Sequence, residues 1–232
     1  MDAASDPAGR GIDALADPAL APLFETPARR DVVSAWYGHL PFAAWIVRAT
    51  RPSLLVELGT HAGVSYAGFC EAVLRDGLNT RCVAVDTWKG DEHADFYGEE
   101  IFNDLSAFHA QHYAAFSTMR RATFDEALAD FEDGSIDLRH IDGRHFYEDV
   151  RHDFETWRPK LSSRAVVLFH DTQVRERGFG VWRLWSEIAP ARPHFEFTHA
   201  HGLGVLAYGH DVPPAVAALC GTRGTSTEAI LR

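Results

Sequence analysis

The sequence predicts an α/β domain built on a doubly wound, mostly parallel sheet, and three observations carry that prediction. Short apolar runs alternate with helical stretches five times between Ser53 and Ile188. The first run leads into a glycine-containing turn, Gly59-Thr-His-Ala-Gly63, and an acid, Asp86, ends the second. The chain then closes with two more apolar runs joined by a tight Gly turn, the pattern of an antiparallel hairpin. Five strands plus two make a seven-stranded sheet with a C-terminal antiparallel hairpin.

Each element follows from its own residues. Residues 1–30 are rich in Ala, Pro and Asp, with breakers at Asp6-Pro7, Asp17-Pro18 and Thr26-Pro27. They read as a flexible arm with a short helix at 12–20. Residues 31–50 give two helical stretches split near Pro41, with Trp36, Phe42, Trp45 and Ile46 as their apolar face. This helical cap has two destinations, one side of the sheet or the border of a substrate pocket. Strands are expected at 53–57, 81–86, around Met119, 136–141 and 165–169. Helices follow at 63–75, from the polar loop 87–98 to about Phe116, and at 124–131, 145–158 and 179–188. Strands at 194–198 and 204–208 complete a domain spanning 31–212, leaving 213–232 as a tail.

Composition narrows the partners. At 232 residues and 46% hydrophobic, the chain can bury one good core. A net charge of −11 argues against nucleic acid or an anionic membrane as the main partner, because both need a basic face. No run reaches the length of a membrane span, and the first fifteen residues lack the basic start and apolar core of a secretory signal. Cys70, Cys82 and Cys220 form no metal spacing and leave one odd, which suits a reducing compartment; the expected location is the cytoplasm. The apolar helices before Pro52 cover either the sheet or a neighbouring subunit, which leaves a homo-oligomer open.

Two groups of residues carry chemistry. Glycines at 59 and 63 let a ligand approach the turn backbone, where the helix start offers free N–H groups. Asp86 then lies beside that turn, placed to accept hydrogen bonds from ribose hydroxyls. Because the second glycine falls four residues after the first, the spacing is not G-x-G-x-x-G, which weakens a nicotinamide reading. The second group is Asp142 and Asp171, ending the fourth and fifth strands, which this fold places side by side. Two close carboxylates repel unless a cation or proton lies between them, and oxygen ligands with open positions suit Mg²⁺. The alternative makes each acid the N-cap of the helix that follows. His145, read as lying in the first turn of its helix, has its neutral form favoured by the dipole and is the candidate base.

The motifs Glu57-x-Gly59-x-x-x-Gly63 with Asp86, Val85-Asp86-Thr87-Trp88, Ile141-Asp142-Gly143-x-His145-x-Tyr147 and Phe169-His170-Asp171-Thr172 resemble class I S-adenosylmethionine-dependent methyltransferases. Within that class they resemble the metal-dependent sugar (macrolide and rhamnosyl) O-methyltransferase and cephalosporin-hydroxylase-like group, over about residues 50–208. The resemblance implies a Rossmann-like sheet, S-adenosylmethionine as donor, and a hydroxyl acceptor on a sugar or glycosylated natural product. It implies that Glu57 holds the amino group of the methionine part, that Gly59 and Gly63 carry the cofactor against the backbone, and that Asp86 holds the ribose. Thr60, Ser65, Thr87 and Asp142 join that set, Trp88 packs on the adenosine side or is a loop aromatic, and Phe124 and Asp125 line the adenine. Asp142 and Asp171 become metal ligands and His145 the general base.

One residue departs from the pattern. The position before the second metal-site acid is typically acidic in those enzymes; here it is His170, which admits Mn²⁺, Fe²⁺ or Zn²⁺ beside Mg²⁺ if it is a ligand. It otherwise points away or binds substrate. Arg175 and Arg177, in a loop whose Gly178 and Gly180 read as hinges, are either solvated or bind an acceptor's carboxylate or phosphate. His199 and His201 read as structural, far from the site. The alternatives to a metal-assisted O-methyltransferase are a nicotinamide-dependent oxidoreductase and a non-catalytic S-adenosylmethionine-binding module.

Overall fold

A computed structural model describes residues 26–222 and 224–226. The helix expected at 12–20 and most of the N-terminal arm lie outside the described residues. One seven-stranded sheet organises the chain, in the order β5-β2-β1-β6-β7-β9-β8. Its strands are β1 (Leu54–Leu58), β2 (Arg81–Asp86), β5 (Ser117–Arg121), β6 (Ile136–Ile141), β7 (Leu161–His170), β8 (His194–Phe197) and β9 (Leu203–Ala207). Only β9 runs against the rest, pairing antiparallel with β7 and with β8. The small hairpin β3 (Gly90–Asp91) and β4 (Asp95–Phe96) stands apart, inside the loop expected to be irregular.

Both faces of the sheet are covered, and its central strands are buried even where they carry polar residues, Glu57 in β1 and Asp137, Arg139 and His140 in β6. All five residues of β1 and all six of β6 are buried, and each fully buried aliphatic side chain contributes about 1.5–3 kcal/mol relative to exposure. One face packs α1 (Leu40–Thr50), α2 (Val64–Arg75), Leu105 of α3 (Glu99–His112) and α7 (Pro214–Gly221). The other face packs α5 (Tyr147–Thr156) and α6 (Val181–Ile188) through Val150, Phe154, Leu184 and Trp185, with the short α4 (Phe124–Ala127) at its edge. Thr123 and Glu126 start α4 with a reciprocal capping box.

Several boundaries differ from expectation for local reasons. A 3₁₀ turn, Ala35–His39, runs directly into α1, so the expected division falls at Leu40, with Pro41 in the first turn of α1. The tail expected from 213 begins as α7, whose Val216 and Cys220 are buried. At the other end the arm is already pinned by Arg29, which donates to the Ala62 carbonyl and pairs with Asp104. No helix among the described residues is long and apolar enough to cross a membrane.

From β1 the chain winds outward to β2 and β5, and on the other side to β6 and β7, so the switch in direction falls between β1 and β6. Ligands collect outside the carboxyl ends of the strands at such a point. There the turn after β1 touches the turn after β6. A Cβ built on Gly59, whose φ is +87°, would lie 2.1 Å from the Asp142 carbonyl oxygen.

Candidate active site

The switch point opens into a cleft with two lobes that share Gly59, Thr60, His61, Ala94, Asp142 and His145. The first lobe adds Asp86, Thr87, Phe124, Gly143 and Asp153. Ser65, Gly63, His170 and Asp171 belong to the second, with residues 33–36 of the cap at its border. The cap thus reaches both destinations: α1 covers the sheet, and the segment before it borders the cleft.

Asp86 holds the first turn in shape. One of its oxygens accepts from the backbone N–H groups of Thr60 (2.7 Å) and His61 (2.9 Å), the other from that of Trp88 (2.7 Å). A carboxylate has room for further donors, and Asp86 still faces the lobe. The glycines line the cleft and also serve packing within the protein. Gly59 is required where two turn backbones meet, and a Cβ on Gly63 would strike the Leu105 side chain at 2.4 Å, so both permit packing within the protein.

Three expected cofactor contacts lie elsewhere. Glu57 is fully buried in β1, where its Oε2 accepts from His140 Nδ1 at 2.8 Å, and it lines neither lobe. Its carboxyl is raised by burial despite the His140 partner. Trp88 is also fully buried, its indole packed on Phe102 and donating to the His61 carbonyl. Asp125 points outward and pairs with His152 at 2.8 Å. Each reading followed strand order correctly but could not see which way the side chain turns.

The second lobe gathers the acids and histidines. Asp142, His170 and Asp171 each offer one donor atom, all within 4.8 Å of one another. His170 Nδ1 lies 3.3 Å from Asp142 Oδ1 and 3.2 Å from Asp171 Oδ2, too poorly aligned to count as hydrogen bonds. Both His170 ring nitrogens and Asp171 Oδ1 are buried without hydrogen-bond partners, a set of orphaned donors and acceptors that fits a divalent cation. Neither acid caps a helix: the N-caps downstream are Phe146 and Gly180. Burial alone would raise both carboxyls, but His170 and His145 hold Asp142 well below the usual range and Asp171 down to about 2. Burial likewise opposes the His170 imidazolium, yet Asp142 and Asp171 push it up to about 10.

His145 stands beside this cluster, its Nε2 2.9 Å from Asp171 Oδ2 and 3.4 Å from Asp142 Oδ1. The helix-dipole expectation fails here. α5 begins two residues later, and although burial disfavours the charged ring, the two carboxylates outweigh it and push the imidazolium up to about 9. Phe179 stacks on the ring at 4.5 Å and His93 meets it edge-on at 5.2 Å.

The sequence reading passed over two of these neighbours. His201 Nδ1 reaches within 3.2 Å of Asp171 Oδ1, so it is part of the site surroundings and not remote. The signal was available: a hairpin antiparallel to β7 must turn at the carboxyl end of the sheet. Ala200, His201 and Gly202 all have positive φ, and the His201 carbonyl accepts from Gln173 N–H at 2.9 Å. His93 was hidden in the polar loop. Its Nε2 lies 3.0 Å from the Arg177 carbonyl, and Arg177 donates to the carbonyls of Glu92 and His93, fastening the two loops together across the cleft. Gly178 and Gly180 are no free hinges, since a Cβ on Gly180 would meet the Tyr147 backbone at 2.4 Å. Arg175 donates to the Thr172 carbonyl and lies over Trp182.

A mostly parallel sheet with a glycine turn and an acid at its switch point is the frame of a nucleotide-binding α/β domain, and comparison narrows it to the methyltransferases. Residues 56–172 match the family model described as "Methyltransferase domain", and the chain belongs to that family, a methyltransferase domain of the S-adenosylmethionine-dependent class. This sets the nicotinamide alternative aside. The uncharacterized protein y4gI of Sinorhizobium fredii is 57% identical over 198 residues, covering 85% of this chain; the chain spans only 22% of that protein's length. Among solved structures, the O-methyltransferase TomG of Streptomyces achromogenes, in complex with S-adenosylmethionine, shares 18% identity at a TM-score of 0.54, covering 89% of this chain and 92% of that one. The Bacillus cereus O-methyltransferase in complex with S-adenosylhomocysteine shares 14% at 0.54, covering 88% and 92%. At these identities the two structures establish the Rossmann-like fold.

Proposed function

We propose that this domain transfers a methyl group from S-adenosylmethionine to a hydroxyl of a sugar or glycosylated natural product, with a divalent cation assisting. The observation that carries the reading is the convergence of Asp142, His170 and Asp171 beside His145, one lobe away from Asp86. In this reading the first lobe holds the nucleoside, with Asp86 on the ribose and Phe124 and Gly143 around the base. Asp142 stands where the lobes join, at the boundary between donor and acceptor. Both reactants are held in one cleft, which is the main requirement for in-line transfer.

A cation held by Asp142, His170 and Asp171 would orient the acceptor hydroxyl and lower its pKa. Mg²⁺ suits the two carboxylates; the imidazole of His170 admits Mn²⁺ or another transition metal. Such a cation would also offset the carboxylate charge that holds His145 and His170 protonated, leaving the His145 imidazole free to take the hydroxyl proton, with Phe179 fixing the plane of its ring.

The test mixes protein, S-adenosylmethionine and a panel of glycosides with and without EDTA. Turnover should vanish in chelator and return with Mg²⁺ or Mn²⁺. His145→Ala should lose about 10²–10⁴-fold in kcat while binding S-adenosylhomocysteine nearly as before. Full activity in EDTA or in His145→Ala would remove the metal and base roles, and tight product binding without turnover on any acceptor would favour a binding module.

A further inference from the structure

Behind His170 lies a group of buried polar side chains that the mechanism above leaves unused. Glu57, His39 and His140 are fully buried, and Trp36 is 2% exposed. Trp36 Nε1, His39 Nδ1 and His140 Nε2 have no hydrogen-bond partner among the described residues. Unsatisfied buried polar atoms cost stability, so packing alone does not account for three of them in one place.

These side chains reach the acid–histidine cluster through their rings. Trp36 stacks on His170 with ring centres 5.6 Å apart and planes inclined by 29°, and His39 meets His170 edge-on at 5.7 Å. Trp36 is itself braced edge-on by His140 at 4.7 Å and by Phe69 of α2 at 5.5 Å. His140 is anchored in turn by the 2.8 Å contact of its Nδ1 with Glu57 Oε2. A continuous series of contacts therefore runs from β1 to the end of β7 through Glu57, His140, Trp36 and His170. His39 ties it to the final hairpin: its Nε2 donates to the Ala200 carbonyl at 3.2 Å, next to His201.

The series answers a geometric need. An imidazole binds a cation through a lone pair in the plane of its ring, so turning the ring turns the donor away. A histidine ligand normally has that plane fixed by a hydrogen bond from its second nitrogen to a carboxylate, a carbonyl or water. In His170 the nitrogen beside the two acids is Nδ1, and Nε2 has no such partner among the described residues. Ring contacts hold the plane instead, and the indole face of Trp36 is the one laid along it.

Within the cluster of Asp142, His170 and Asp171, only His170 supplies nitrogen. Carboxylate oxygens suit Mg²⁺, whereas an added imidazole favours first-row transition metals such as Co²⁺. We propose that Trp36 is a positioning residue that fixes the His170 ring as a cation ligand and so makes the centre selective for a transition metal over Mg²⁺. The inference rests on the reading of Asp142, His170 and Asp171 as a cation site.

The experiment is calorimetric titration of the full chain with Co²⁺ and, separately, with Mg²⁺. Wild type should bind Co²⁺ the more tightly. Trp36→Leu, which keeps apolar bulk but loses the ring face, should weaken Co²⁺ by roughly 10- to 100-fold and Mg²⁺ far less. Trp36→Phe should recover most of the Co²⁺ affinity, and in a His170→Ala background Trp36→Leu should cost nothing further. If Trp36→Leu does not fold, Trp36→Met, a closer match in length, carries the same comparison. Equal losses for the two cations, or a loss that persists without His170, would reduce Trp36 to packing and overturn this inference alone. Wild-type affinities that do not favour Co²⁺ would do the same. Binding of neither cation would remove the site itself, and the metal role proposed above with it.

Discussion

Replacing Gly59 by alanine tests whether the turn after β1 and Asp142 are mechanically one unit. The new Cβ would sit 2.1 Å from the Asp142 carbonyl oxygen, 2.5 Å from its carbon and 2.7 Å from the Gly143 nitrogen, all of them backbone atoms that cannot rotate away. Reaching ordinary contact requires a relative movement of about 1.3 Å, and misplacement by about 1 Å can cost on the order of 100-fold in rate. The positive φ adds about 1–2 kcal/mol for a residue with a side chain. In a domain of this size that alone lowers the melting temperature by roughly 2–8 °C. Three measurements on Gly59→Ala check the reasoning: scanning calorimetry, S-adenosylhomocysteine affinity and turnover. Turnover should fall about 100-fold with a smaller loss of affinity and a folded protein. Turnover within threefold of wild type would show that the strand ends are not in register-setting contact and would refute the argument.

Two other perturbations probe the surroundings. His201→Ala, which removes a ring 3.2 Å from Asp171, should weaken Co²⁺ or Mn²⁺ binding by roughly tenfold or more while leaving the fold intact; an unchanged titration curve would reduce His201 to a bystander. His109, which shares a 2.8 Å contact with Ser117, has its imidazolium disfavoured by burial more than the Ser117 contact restores. Since its folded pKa lies below the unfolded value of about 6.5, the unfolded chain takes up the proton first, and stability is lost as pH falls below that value. The drop in melting temperature between pH 7 and pH 5.5 should accordingly be smaller in His109→Gln than in wild type, and equal drops would contradict it.

The strands were legible because short runs with buried apolar positions, in β6 interleaved with Asp137, Arg139 and His140, alternate with helical stretches, and because the order of the runs dictates the winding. Asp142 and Asp171 were legible for the same reason: they sit where those runs stop. What lay beyond reach depended on side-chain direction and on contacts between distant turns. Glu57 belongs to a buried pair with His140, a residue 83 positions away, and no local pattern announces such a partner. His145 was placed inside a helix because its neighbours favour one, whereas Gly180 N–H donates to its carbonyl at 2.7 Å and holds it outside. His201 could have been inferred from the direction of β9.

The two lobes differ in what builds them. The first is walled chiefly by residues just past strand ends, whose positions the sheet dictates. Both lobes take part of their wall from the loop after β2, the first at Gly90, Asp91, Ala94 and Tyr97 and the second at His93 and Ala94, while only the second adds connecting segments at 33–36 and at Arg177 and Phe179. Connecting segments tolerate substitution far better than strand ends. On the proposed assignment of the lobes, the choice of acceptor can therefore change through two short stretches, 33–36 and 177–179, that leave the other lobe untouched.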